Sequence, residues 1–187
     1  MIEEIKRLER LDFSKQLAFA YLTCERLYPN YVSFSTEVVF GNPTILRNVI
    51  DFIFKQLFRE SLDEKIIQEY LLSIDQNIPY PENYATILAS LALDSCTVIE
   101  ETLNFLIDKK PSRLYDISTM AIDTVDMYIQ DRDNMDYNTD SDFEIKVLND
   151  PLMQEELYIQ KGIISFLDKI DRINESDIYT LIQLQEK

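Results

Sequence analysis

The chain has 187 residues, carries a formal net charge of -16 and contains no histidine and no tryptophan. Its length fits one domain, and 46% hydrophobic with 28% charged residues is globular rather than disordered composition. The charge disfavours nucleic acid and anionic membrane surfaces as partners, and the missing histidine removes Ser-His-Asp and Cys-His catalysis, His-ligated zinc, HD-type metal phosphohydrolases and histidine phosphotransfer.

Two glycines and six prolines mean few turns, which favours long helices over a many-stranded sheet. Cys24 and Cys96 each lie in an apolar helical segment, so two buried thiols are expected rather than a disulfide. The start, Met1-Ile2-Glu3-Glu4-Ile5, is charged at once and does not read as a secretory signal. The longest mostly apolar run, 85–93, is too short to span a bilayer. Together these features lead to the expectation of a soluble, acidic, cytoplasmic protein.

The first predicted helix covers 2–11. A second runs to about Tyr28, with Phe13, Leu17, Tyr21, Cys24 and Tyr28 on a buried stripe at steps of four and three. Pro29 is predicted to end it, because the residue before a proline is pushed out of the helical region. Asn30 then caps a short helix through about Val39, and Gly41 acts as a stop that tolerates positive φ.

Asn42-Pro43 reads as a cap followed by proline at the first helical position, opening a helix to about Arg59 with Arg47, Asp51, Lys55 and Arg59 on its outer ridge. Ser61 and Glu64 match a capping box for the next helix, which ends near Gln76. The longest predicted helix, 82–109, is apolar almost all round between Ala85 and Leu93 and is placed at the centre of the bundle. Pro111-Ser112 breaks the chain and caps a helix over 113–132 with Ile117, Met120, Ala121, Val125 and Tyr128 inward. A polar loop, 133–142, leads to a short helix over 143–148. Asp150-Pro151 starts a helix to about Ile173, and a short C-terminal helix follows. No segment alternates with period two. The expectation is an all-α, single-domain bundle spanning 1–187, of about seven to nine helices and without a sheet.

Several side chains invite chemistry. Asp116, Asp123 and Asp126 share one stripe of the 113–132 helix and could hold a hard cation, the basis of a metal-dependent hydrolase as the alternative function. The Glu-x-x-Glu pairs usual in all-helical metal phosphohydrolases are missing. The run Asp136-x-Asn138-x-Asp140 resembles the start of a calcium loop, but Ser141 and Val147 occupy the positions where glycine and a bidentate glutamate belong. Cys24 lies on an apolar stripe and reads as a core thiol. Asp94 belongs to a narrow polar stripe of the central helix, where it meets either solvent or a packed partner.

Glu25, Arg26, Tyr28, Asn30 and Tyr31 crowd the junction at Pro29 with two phenols, an amide and an ion-pairing couple. They form the candidate ligand or partner site, read against a purely structural corner.

This junction also carries a resemblance. Leu8-Glu9-Arg10-Leu11, then Cys24-Glu25-Arg26-Leu27-Tyr28-Pro29-Asn30-Tyr31, Phe34 and Phe40-Gly41 resemble the YjaG family of uncharacterised bacterial proteins. The likeness continues through Ile50-Asp51, Leu93-Asp94-Ser95-Cys96 and Asn149-Asp150-Pro151. The resemblance implies an all-α fold and supplies no catalytic residues to carry over. The family's genomic neighbourhoods associate it with histidine-kinase signalling, in which this histidine-free chain could not itself take a phosphoryl group as a histidine phosphotransfer bundle does. The expectation is a non-catalytic, cytoplasmic interaction or regulatory protein with no cofactor. It would take a protein partner rather than nucleic acid or membrane, and homo-oligomer formation is left open.

Overall fold

The computed structural model describes residues 1–59 and 61–185, and among them nine α-helices and no strand. In chain order these are α1 (Ile2–Leu8), α2 (Phe13–Val38), α3 (Pro43–Gln56), α4 (Glu64–Asp75), α5 (Leu88–Asp108), α6 (Ser112–Arg132), α7 (Phe143–Asn149), α8 (Pro151–Lys169) and α9 (Glu175–Gln185). None of the described helices is long and apolar enough to cross a membrane.

The centre is a pair, α2 against α5. Leu17, Phe19, Leu22, Cys24 and Phe34 of α2 and Ala92, Cys96, Ile99, Leu103 and Phe105 of α5 are all buried. The two helices are also tied by polar contacts that need a close approach. Ser95 Oγ donates to the Leu27 carbonyl at 2.7 Å, and the Cys24 thiol lies 3.3 Å from Thr102 Oγ1. Both cysteines are free and buried, as expected, and burial pushes the Cys24 thiol up to about 12, so it rests as an unreactive thiol. Helix α3 covers one flank of α2, while α6 and α8 close the other side.

The sequence-based boundaries fail in four places, each for a physical reason. Pro29 does not end a helix: α2 runs unbroken for 26 residues with the proline inside it. The ring is exposed, so only the turn before it has to adjust, while Leu27 and Tyr31 on either side are buried and packing carries the helix through. The stop comes instead at Val39 in the left-handed region (φ 54), and Gly41 takes positive φ (65) two residues later.

The predicted helix over 82–109 starts only at Leu88. A 3-10 turn, Pro81–Asn83, and an extended Tyr84 precede it. The Tyr84 ring stands edge-on to Phe34 at 4.9 Å and packs on Phe40, and seating that ring holds the chain out of the helix. The cap of α4 is Asp63, whose carboxylate accepts from the Lys65 amide, not Ser61. Finally, α6 begins at Ser112 itself, without a side-chain cap.

Three helix ends also come early, α1 at Leu8, α3 at Gln56 and α8 at Lys169 instead of residue 11, Arg59 and Ile173. Asp12, Asn42 and Asp150 cap α2, α3 and α8, with proline at the first position of the last two.

Candidate functional site

The five residues of the 24–31 stretch lie on consecutive turns of one continuous helix, so they point in different directions. Neighbours in sequence are about 100° apart around an α-helix and do not face each other. Glu25 and Arg26 therefore do not pair, contrary to the expectation of a local ion couple.

Glu25 turns toward α3. Arg47 grips its carboxylate with two bonds of 2.7 and 2.8 Å, and Tyr21 Oη donates to the same group at 2.5 Å. Burial, with that bond to Glu25, pushes the Tyr21 phenol well above its usual range. Arg47 also bonds Asp51 at 2.8 Å and lies over the Tyr28 ring, 5.4 Å from its centroid. Tyr28 Oη donates to the Pro43 carbonyl at the start of α3. Glu25 and Tyr28 thus belong to a latch that holds α3 on α2.

Tyr31 is fully buried. Its hydroxyl donates to the Asn77 carbonyl at 2.8 Å, while the Asn77 side chain accepts from the Asn42 amide and donates to the Ser73 carbonyl. This residue fastens the end of α4 to the α2–α3 turn and is part of the core.

Arg26 and Asn30 turn the opposite way and line a cleft of about 460 Å³ between α2, α5, α6, α8 and α9. Leu27, Leu91, Val125 and Ile159 supply apolar wall, and Tyr128, Leu152 and Glu155 stand at the exposed side. Tyr128 was expected inward on α6 and is 41% exposed instead.

Arg26 donates from Nε and Nη2 to the two Glu156 oxygens, each at 2.8 Å, and from Nη1 to Gln185 Oε1 at 3.0 Å. This geometry is a paired guanidinium–carboxylate fork. Both partners are mostly out of water, at 12% and 5% side-chain exposure. Gln160 donates to Glu156 at 2.7 Å and is tied in turn to Ser118, so the pair is anchored into the α6–α8 seam. Glu156 was not singled out by the sequence reading, yet a signal existed. Met153, Glu156, Gln160, Ile163 and Leu167 follow steps of three and four, and all are buried. A glutamate in that register demands a cation, and Arg26 provides it.

Asp94 lies behind the cleft wall. It is 8% exposed, and it accepts from Thr124 Oγ1 at 2.8 Å. It pairs with no cation among the described residues and does not reach the 24–31 stretch. Burial, with a smaller effect from the Asp123 charge, pushes its carboxyl up to about 6. Because the folded value lies above the unfolded one, ionised Asp94 weakens the fold. The penalty is absent below about pH 4, grows through the interval and is complete above about pH 6. Asp94→Asn keeps the Thr124 bond and should raise stability at pH 7 by up to about 2–3 kcal/mol, with little gain at pH 4. Thermal melts of both proteins across that range check it.

The acidic face of α6 does not converge. Asp116 and Asp123 are exposed and border a shallow depression of about 310 Å³ with Thr97 and Glu101, whereas Asp126 turns aside and accepts from Gln130. Asp116 and Asp123 are two turns apart, about 10 Å along the axis. Among the described residues no three carboxylate or thiol groups gather closely enough to hold a metal ion. Asp168 on α8 is engaged by Arg7. The 133–142 loop spends its acids on its own turns, Asp136 accepting from the Asn138 amide and Asp140 from the Asp136 amide.

Fold and cleft define an all-α bundle with a buried ion pair at the edge of an open, largely apolar concavity. The chain belongs to the family described as a protein of unknown function (DUF416), whose model matches residues 3–187. Among its relatives are the uncharacterized YjaG proteins of Salmonella typhimurium and of Escherichia coli K12. Each is 28% identical over 163 residues, 86% of this chain and 80% of the relative. The crystal structure of a DUF416 family protein from Shewanella baltica shares the fold with a TM-score of 0.87 at 24% identity. That match covers 97% of this chain and 92% of that one.

Proposed function

We propose that this chain is a non-catalytic, cytoplasmic interaction protein whose partner enters the cleft beside Arg26 and Asn30. One observation supports the reading above the others. The two strongest polar groups in the cleft, Arg26 and Glu156, spend their bonds on each other and on Gln185 and Gln160. Paired in this way, they hold a rigid wall and are not poised to move protons or stabilise a changing charge. What is left open to a ligand is apolar surface, the Asn30 amide, the Tyr128 ring and the rim carboxylate of Glu155, which is the composition of a recognition surface. The two buried free thiols agree with a reducing compartment.

Asn30→Arg tests this. The position is half-buried at the cleft, and arginine favours a helix at least as well as asparagine does, so the long side chain should obstruct the cleft at little cost to stability. Proteins captured from native lysate by the unaltered chain should be lost with the variant at an unchanged melting temperature. Retention of every captured protein by a correctly folded variant would contradict the proposal.

A further inference from the structure

We propose that the occupant of the cleft is a basic amphipathic helix. It would seat an apolar side chain between Leu27, Val125 and Ile159 and set a lysine or arginine against Glu155. This specifies the binding role above and rests on it.

Charge complementarity carries the inference. Three charged side chains reach the cleft: Arg26, Glu155 and Glu156. Arg26 and Glu156 neutralise each other through their two-bond contact. The charge left over is that of Glu155, which is exposed and pairs with no cation among the described residues. The whole chain has 34 acidic against 18 basic residues, so a cationic partner is drawn in at encounter and an anionic one repelled. The Tyr128 ring, exposed at the same edge, is an aromatic surface on which a cation can stack. An amphipathic helix presents apolar and charged residues one turn apart, matching an apolar floor flanked by an acid.

Fluorescence anisotropy with two labelled peptides tests this. Both are one amphipathic helix with leucines along one face, flanked in the first by lysines and in the second by glutamates. The lysine peptide should bind at least about tenfold more tightly, since like charges brought together cost several kcal/mol. Glu155→Lys should abolish that preference, while Glu175→Lys, an equal change of charge at the exposed start of α9, should leave it in place. Leu152→Glu makes the surface more acidic while removing an apolar side chain from the exposed side of the cleft, and should weaken binding. Tighter binding by Leu152→Glu would reduce the interaction to charge alone and overturn the proposal. So would equal affinity for the two peptides, or equal losses from Glu155→Lys and Glu175→Lys. If Asn30→Arg loses its lysate partners while the peptides show no preference, the cleft keeps its binding role and the basic helix falls. If Asn30→Arg alters neither capture nor peptide binding, both readings fall.

Discussion

Gly41→Ala should destabilise the protein by about 3 kcal/mol or more, among the largest effects available from adding a single carbon. Two costs combine. Gly41 holds φ at 65, where a side chain costs about 1–2 kcal/mol. A Cβ built there would also come within 2.1 Å of Tyr31 Oη and 3.3 Å of the ring carbon that bears it. Tyr31 cannot retreat, because it is fully buried and its hydroxyl is committed to the Asn77 carbonyl. The companion change makes the argument specific. Tyr31→Phe alone should cost about 1–2 kcal/mol, the expense of leaving the buried Asn77 carbonyl without its donor. In that background the 2.1 Å obstacle is gone, so adding Gly41→Ala should cost only the backbone part, about 1–2 kcal/mol. Urea unfolding of the four proteins should show this coupling, and additive losses would mean that glycine is needed at 41 for its φ alone.

The second large effect concerns Arg26 and Glu156. Arg26→Met should cost about 3–5 kcal/mol, because it strands a carboxylate with 5% exposure in the α6–α8 seam. The double change Arg26→Met with Glu156→Leu should recover most of that loss, since two apolar groups fill the space without an unpaired charge. Denaturant midpoints of the single and double variants check it. A single variant as stable as the parent would mean that water reaches Glu156, and the cleft wall would then not be the rigid element described. The pair is therefore weak evidence for stability and better evidence for shape: it fixes the positions of α2, α8 and the end of α9 around the cleft.

Much of the fold was legible in the residues. Helix periodicity, the Asn42 and Asp150 caps and the scarcity of glycine were enough for an all-α bundle, and the α5 segment was correctly placed at its centre. Two of the local errors share a cause. Pro29, the 82–87 segment and the start of α4 were judged by local propensity, while tertiary packing of Leu27, Tyr31 and Tyr84 decided the first two.

The candidate site was half legible. The 24–31 stretch does hold residues that reach a cleft, but a run of adjacent letters cannot say which of them share a face when the helix is misjudged to end among them. With α2 unbroken, Arg26 and Asn30 turn one way and Glu25 and Tyr28 the other. The partners Glu156 and Gln185 lie 130 and 159 residues from Arg26, and Arg47 lies 22 residues from Glu25, and only the packing of α8, α9 and α3 brings them in. The buried glutamate in the α8 stripe was the one local clue to that arrangement.

The central claim is that the cleft is the contact surface. Site-specific photo-crosslinking in living cells tests it most directly. A benzophenone side chain at Tyr128, which lies at the cleft and is 41% exposed, should yield a discrete protein adduct on irradiation. The same group at Tyr80, which is 58% exposed and lines no part of the cleft, should not. Adducts from Tyr80 with none from Tyr128, or none from Tyr128 in a folded protein under any growth condition tried, would contradict the account.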